Sequence, residues 1–376
     1  MKFIGILKEQ NEDPRVSVGP FVIKKIISEL DATVLVEKNA GLKSGFTNEM
    51  YEAVGAQVVS REDAIEKSDI LLFINHFTPP TSFSKAKTLI GILNPLFFAD
   101  KLSSYLQKDV NLYSLDLMPR SSKAQAMDVL SSMASLSGYK AVIKAADLHS
   151  AVFPMFTTAA GTIKPAKVLV LGAGVAGLQA IATAKRLGAI VSAFDVRKSA
   201  GEEVKSLGAK FIEVEGAVEN EKAGGYAIEQ TADYIERQRQ LIDKHVSEAS
   251  IVISTANIPG RAAPRLIEEQ SVDKMKFGSV IIDLASEQGG NCSLTEDEKI
   301  IDHNGVTIVG NSAFSREIAT TASQMLSNNY VNFLKHLLSV EASGVQDDPI
   351  VIGCLVASSG EIVHERLKPL IKESIS

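Results

Sequence analysis

Tryptophan is absent from this 376-residue chain, and cysteine occurs only twice, at Cys292 and Cys354. Two cysteines exclude a disulfide framework and match a reducing compartment, and neither sits in a zinc-ligand spacing. A basic surplus is also missing. Against 45 Asp and Glu stand 39 Lys and Arg, a formal net charge of −6, which is the opposite of the basic face that general nucleic-acid binding needs. No apolar run approaches the ~20 residues of a bilayer span. The longest, Lys167-Val-Leu-Val-Leu-Gly-Ala-Gly-Val-Ala-Gly, is broken by glycines and reads as a buried strand and turn. The start, Met1-Lys-Phe-Ile-Gly-Ile-Leu-Lys-Glu, is too short in apolar residues for a secretory leader, so a cytoplasmic chain is expected. The six histidines show no ligand-like spacing with one another or with cysteine, and no metal site is expected.

What remains is an ordinary globular composition, 45% hydrophobic and 22% charged, at a length that suits two domains. Short β-branched runs alternate with stretches of helical period. Phe3-Ile-Gly-Ile-Leu, Thr33-Val-Leu-Val, Ile70-Leu-Leu-Phe-Ile, Leu89-Ile-Gly-Ile-Leu and Val110-Asn-Leu-Tyr-Ser-Leu form one series. Val168-Leu-Val-Leu, Ile190-Val-Ser-Ala-Phe, Lys210-Phe-Ile-Glu-Val, Ile251-Val-Ile-Ser-Thr, Val280-Ile-Ile-Asp-Leu and Val306-Thr-Ile-Val-Gly form a second. Continuous apolar strands separated by helices predict parallel sheets covered on both faces. The expected fold is therefore α/β: two Rossmann-like, doubly wound domains joined by long helices over 121–146 and 320–340, with a cleft between them. Residues 1–128 with 330–376 would form the first domain and 129–329 the second. Ile350-Val-Ile-Gly-Cys-Leu-Val would return as a last strand of the first domain. The acidic, glycine-containing stretch 213–229 reads as a solvated loop.

The clearest motif is Gly172-Ala-Gly174-Val-Ala-Gly177, which follows Val168-Leu-Val-Leu and opens a helical pattern. In a strand–GxGxxG–helix unit the first glycine permits the tight turn, the second lets the backbone approach a pyrophosphate, and the third lets the helix pack on the strand. The helix N-terminus then offers N–H groups to the phosphates. Asp195 ends the next strand, eighteen residues after Gly177, close to the ~20 expected for the carboxylate that receives the adenosine ribose hydroxyls. It favours NAD(H) by repelling a 2′-phosphate, whereas Arg197, two residues on, is able to pair with one.

With these residues in place, the chain resembles the NAD(H)-binding component of the proton-translocating nicotinamide nucleotide transhydrogenases and, more distantly, the alanine dehydrogenases. Four blocks carry the resemblance: Met118-Pro-Arg120-Ser-Ser-Lys-Ala-Gln125-Ala-Met-Asp128-Val-Leu-Ser131; the glycine turn with Phe194-Asp-Val-Arg197; Gly224-Gly-Tyr226-Ala; and Thr255-Ala-Asn-Ile-Pro-Gly260 with Asp283-Leu-Ala-Ser-Glu-Gln-Gly-Gly-Asn291-Cys. The resemblance implies hydride transfer from NADH to NADP+ bound on a partner domain, coupled to proton movement by membrane-spanning subunits. It further implies a homodimer held at the inner face of a membrane through those partners. Arg120, Asp128 and Ser131 would anchor the nicotinamide end, and Gln125 would sit over the ring. Their i, i+3 spacing places Gln125, Asp128 and Ser131 on one face of a helix. The cofactor-facing set would comprise Gly172, Gly174, Val175, Gly177, Asp195, Val196, Arg197, Gly225, Tyr226, Gln238 and Asn257, with Tyr226 on a loop that closes over the cofactor. Direct transfer between two nicotinamides requires positioning residues rather than a nucleophile or a general base.

Two other readings compete. An alanine dehydrogenase-type oxidoreductase would need proton-transfer groups. Arg15, able to pair with a substrate carboxylate, is present. However, Phe73 stands where those enzymes carry a lysine, their catalytic histidine has no counterpart near Leu89-Ile-Gly-Ile-Leu-Asn-Pro, and Glu287 replaces their aspartate. A non-catalytic NAD(H) sensor would keep the fingerprint but has no use for the block from Arg120 to Ser131.

Overall fold

A computed structural model of the chain describes residues 2–10, 12–106, 108–214, 232–258, 260–345 and 347–375. The chain divides into two compact units, Met1–Met133 with Arg316–Ser376, and Ala134–Ser315. The first unit begins with β1 (Lys2–Ile6), β2 (Ala32–Glu37), β3 (Gln57–Val59), β4 (Ile70–Leu72), β5 (Lys87–Gly91) and β6 (Val110–Ser114). The second holds β7 (Phe156–Thr158), β8 (Gly161–Ile163), β9 (Lys167–Leu171), β10 (Ile190–Phe194), β11 (Lys210–Ile212), β12 (Ile251–Ser254), β13 (Val280–Asp283), β14 (Ile300–His303) and β15 (Val306–Gly310). Two further strands, β16 (Leu355–Ser358) and β17 (Glu361–Ile362), belong to the first unit again.

The two sheets share the order of their first five strands, third-second-first-fourth-fifth, and differ beyond it. In the first sheet the full order is β17-β16-β6-β5-β4-β1-β2-β3, and in the second β11-β10-β9-β12-β13-β15-β14. Each sheet starts at a central strand, winds outward to one side, then returns to the centre and winds the other way. Pairing is parallel except at the ends, where β16 meets β6, β17 meets β16 and β14 meets β15 antiparallel. This is the doubly wound α/β architecture, and its parallel neighbours are joined by long crossovers rather than tight turns, helical in most cases, with β4 to β5 crossing by a stretch without helix.

Both faces of each sheet are buried, as continuous apolar strands require. Along β4, Ile70 and Leu72 enter one core cluster and Leu71 the other. Along β9, Val168 and Val170 face one cluster while Leu169 and Leu171 face the opposite one. Each such side chain contributes roughly 1.5–3 kcal/mol on burial. In the first unit the helix Ala319–Ser343 adds Leu326, Tyr330, Phe333, Leu334 and Leu337 to the core.

The structure departs from the sequence expectations in three places. The helix expected over 121–146 begins only at Val129 and runs to Leu148; before it lies a single 3-10 turn, Gln125–Met127, and Asp128 is extended (φ −75°, ψ 95°). The stretch Ile350-Val-Ile-Gly-Cys is helical rather than strand. Asp348 accepts hydrogen bonds from the Ile350 and Val351 N–H groups, Pro349 follows the cap, and β16 starts only at Leu355. The short strands β3 and β17, the edge strand β14 and the hairpin β7–β8 have no counterpart among the strands expected from sequence. Among the described residues no helix is long and apolar enough to cross a membrane.

Candidate functional site

The second sheet reverses its winding between β9 and β12, the topological switch point where open α/β sheets receive ligands at the strand C-termini. The glycine turn leaves β9 at that point, and each glycine meets a different constraint. Gly172 has φ +96°, and a β-carbon there would stand 2.6 Å from the Thr255 hydroxyl. At Gly177 a β-carbon would collide with the Gly172 carbonyl oxygen, so the missing side chain sets how closely helix and turn pack. Gly174 differs from both. Its backbone is ordinary extended chain (φ −79°, ψ −168°) and a β-carbon would meet nothing within 4 Å. Among the described residues, open space therefore lies over Gly174, at the start of the helix Val175–Arg186, whose first turn has no side-chain cap. A phosphate placed there would meet backbone N–H groups and the positive end of the helix dipole. Val175 is exposed beside it.

Asp195 follows β10. Its side chain is almost buried (8% exposed), and it ties two segments together: Oδ2 accepts the Ala173 N–H at 2.7 Å and Oδ1 the Arg197 N–H at 2.9 Å. The Arg197 guanidinium closes on the same carboxylate, Nε to Oδ1 and Nη2 to Oδ2, both at 2.9 Å. That bond raises the guanidinium further above its ordinary pKa, against the opposing effect of burial. Val196 between them is half-buried. Tyr234, fully buried on the helix Ala232–Glu248, is pushed up by burial and also by the charge of Asp195. Half-buried Gln238 lies one turn beyond Tyr234 on that helix.

Across the switch point, the segment after β12 is held from beneath. Asn291 is fully buried. Its Oδ1 accepts from Ser254 Oγ at 2.6 Å and the Ala256 N–H at 3.1 Å, and its Nδ2 donates to the carbonyls of Ala256 and Pro264, each at 2.8 Å. Asp283 fixes Asn291 in turn, accepting its N–H at 2.7 Å. Thr255 donates to the Gly172 carbonyl at 3.1 Å, joining this segment to the glycine turn. Asn257, just beyond, is exposed. The sequence assigns no role to Asn291, Thr255 or Tyr234. Their part is in buried hydrogen bonding and packing, which no local motif announces. Gly225 and Tyr226 lie outside the described residues.

Arg120, Gln125, Asp128 and Ser131 all belong to the first unit, in a geometry other than one helix face. Asp128 precedes the helix Val129–Leu148, accepting the Ser131 N–H at 2.9 Å on Oδ1 and the Ser131 hydroxyl at 2.6 Å on Oδ2. This pair is an N-cap, and it ends the 3-10 turn that carries Gln125. Gln125 and Arg120 are exposed. Elsewhere in this unit lies a buried polar cluster. Glu9 accepts the Ile74 N–H at 2.7 Å, the Asn75 N–H at 2.8 Å and the Asn75 side chain at 3.0 Å. Burial raises its pKa to about 7 in spite of these donors. Arg15 is turned inward, its Nε and Nη2 on Asp13 at 3.0 and 2.7 Å. Phe73 is packed edge-on against Phe77 in the core.

Models of two protein domains match the chain: the alanine dehydrogenase/PNT N-terminal domain over residues 5–137, and the alanine dehydrogenase/PNT C-terminal domain over 141–365. The chain is 41% identical over 380 residues to the first part of the NAD(P) transhydrogenase alpha subunit of Rhodospirillum rubrum, covering 97% of this chain and 98% of that one. It is 39% identical over 371 residues to the protein of the same name from Rickettsia prowazekii, covering 97% and 96%. Among solved structures, a transhydrogenase from Sinorhizobium meliloti matches with a TM-score of 0.86 at 39% identity, over 96% of this chain and 100% of that one.

Proposed function

The chain belongs to the alanine dehydrogenase/PNT family, and from that membership we propose that it is the NAD(H)-binding subunit of a proton-translocating transhydrogenase. One observation carries the reading: an open phosphate cradle over Gly174 stands beside the Asp195 carboxylate, in a chain similar end to end to transhydrogenase alpha subunits. When bound, NADH supplies the hydride that passes to NADP+ on a partner domain. The chain's own residues bind and orient. The N–H groups at the start of the helix Val175–Arg186, with Gly172 and Gly177 shaping the turn, take the pyrophosphate. Asp195 takes the adenosine ribose, with Val196, Arg197, Gln238 and Asn257 around the nucleotide. Arg120, Asp128 and Ser131 hold the nicotinamide end, and Gln125 positions the ring toward the NADP(H) side.

In this proposal the working unit is a homodimer that docks an NADP(H)-binding domain and membrane-spanning subunits at the cytoplasmic face, and those subunits couple transfer to proton movement. Amino-acid oxidation fits the geometry poorly: the Arg15 fork is occupied by Asp13, and Phe73 is a core residue. The test mixes the chain with a transhydrogenase NADP(H)-binding domain and follows reduction of a bound NADP analogue by NADH, with alanine plus NAD+ in parallel. Transfer that needs both proteins is the expected result. NAD+ reduced by alanine, with no transfer, would sink the proposal, and NADH binding without either activity would turn it toward a sensor.

A further inference from the structure

A carboxylate offers about four lone-pair directions, and at Asp195 all four are in use. Two are taken by backbone N–H groups, of Ala173 and Arg197, which belong to the glycine turn and the strand end. The other two are taken by the Arg197 side chain, through Nε on Oδ1 and Nη2 on Oδ2. No acceptor position is left for the two ribose hydroxyls of a dinucleotide. The backbone donors leave only if the turn itself comes apart. The guanidinium is hung on a rotatable stem and is 29% exposed, so it is the donor a ligand is able to dislodge.

We propose that Arg197 is an internal occupant of the ribose site: its guanidinium holds the two Asp195 lone pairs that the adenosine hydroxyls of NADH require, and the cofactor binds by displacing it. This rests on the reading of Asp195 as the ribose carboxylate.

Two consequences follow from the chemistry. First, apparent affinity falls in proportion to the fraction of molecules in which Asp195 is free. If the arginine has swung away in about one molecule in ten, NADH binds about tenfold more weakly than to a site without it. Second, the pair is close to neutral. A lone aspartate repels a 2′-phosphate, but an aspartate with a displaceable arginine beside it repels less and offers the phosphate a cation. Arg197 thus trades both affinity for NADH and discrimination against NADPH.

The experiment titrates NADH and NADPH into the full chain, its Arg197→Met variant and its Asp195→Ala variant, by nucleotide fluorescence. Methionine keeps the length of the stem and removes the competing donors. Arg197→Met is expected to bind NADH about tenfold more tightly and NADPH more weakly, while Asp195→Ala loses NADH affinity. If Asp195→Ala weakens NADH but Arg197→Met leaves it unchanged or weakens it too, the occupant role is overturned and the ribose reading stands. If Asp195→Ala leaves NADH affinity unchanged, the ribose reading falls and takes the proposal with it. A second measurement needs no variant. In protein carrying 15N-arginine, the Nε–H resonance of Arg197 should leave its carboxylate-bound position when NADH saturates the chain. Persistence of that resonance at saturation refutes displacement.

Discussion

Gly174→Ala separates binding from folding at a single methyl group. The backbone at this position is extended, a conformation alanine adopts without strain, and the added carbon meets nothing within 4 Å. Removing a glycine from the unfolded chain stabilises by about 0.4–1 kcal/mol. Alanine is a poorer N-cap than glycine, which costs a similar amount. The two effects nearly cancel, and with 1 kcal/mol worth about 2–4 °C in a unit of this size, the melting temperature should move by no more than that. Binding is another matter, because the methyl group stands where the pyrophosphate has to lie against the helix N-terminus. Pushing the phosphate off one or two charge-assisted N–H bonds costs about 3 kcal/mol, roughly two decades in Kd. Fluorescence titration with NADH reads the affinity and a circular dichroism melt reads the stability. Gly177→Ala is the matched control, since its β-carbon runs into the Gly172 carbonyl and overpacking of this kind costs about 1–3 kcal/mol. A Gly174→Ala protein that binds NADH like its parent, or melts as low as Gly177→Ala, would refute the cradle.

Gln125→Asn should slow hydride transfer to the partner-bound nucleotide at least tenfold while leaving the NADH Kd within about twofold; a large loss of affinity would contradict a positioning role. Asn291→Ala strands four partners, the buried Ser254 Oγ and the half-buried Ala256 N–H and carbonyls of Ala256 and Pro264. It should cost about 3–5 kcal/mol and speed amide exchange at Thr255 and Ala256, so parental exchange there would dispose of the staple. Glu9 gives a pH signature. Burial raises its folded pKa to about 7 from the ordinary 4.5, so between these values the folded chain binds a proton that the unfolded chain does not. Stability should therefore fall as pH rises from about 4.5 to 7, by about 3 kcal/mol at most, and be flat above. Denaturant melts across pH 5–8 should show that slope in the parent but not in Glu9→Gln, and equal slopes would show that another group titrates.

Much of this architecture is legible because its strands are buried on both sides. Val168-Leu-Val-Leu and Val280-Ile-Ile-Asp have no polar alternation, and such runs between helical patterns leave few folds open. The fingerprint is legible because its demands are steric and local. Where sequence and structure part, a capping residue decides the outcome. Asp128 reads as one more polar position on a long helix, yet it starts the helix by binding Ser131. Asp348 and Pro349 likewise turn Ile350-Val-Ile-Gly-Cys, a strand by composition, into a helix. The hairpin Phe156–Thr158 with Gly161–Ile163 is exposed throughout, so it lacks the burial that makes a strand conspicuous. The saturation of Asp195 is out of reach for a different reason. Sequence places a carboxylate two residues before an arginine, but only the fold shows that the arginine turns back on it.

Tyr113 and Leu355 are neighbours where β6 meets β16, but a ribosome makes them far apart in time. At about 5–20 residues per second, the stretch Ala134–Ser315 alone takes roughly 10–40 s to synthesise. Through that interval β6 is an open sheet edge, a template for pairing with the wrong chain. The first unit also still lacks Leu326, Tyr330, Phe333, Leu334 and Leu337, which arrive on a helix not yet made. The second unit is contiguous and holds every one of its strands as soon as Ser315 has emerged. The order of completion is thus the reverse of the order of translation: the portion made first finishes last, and until then its core is half built.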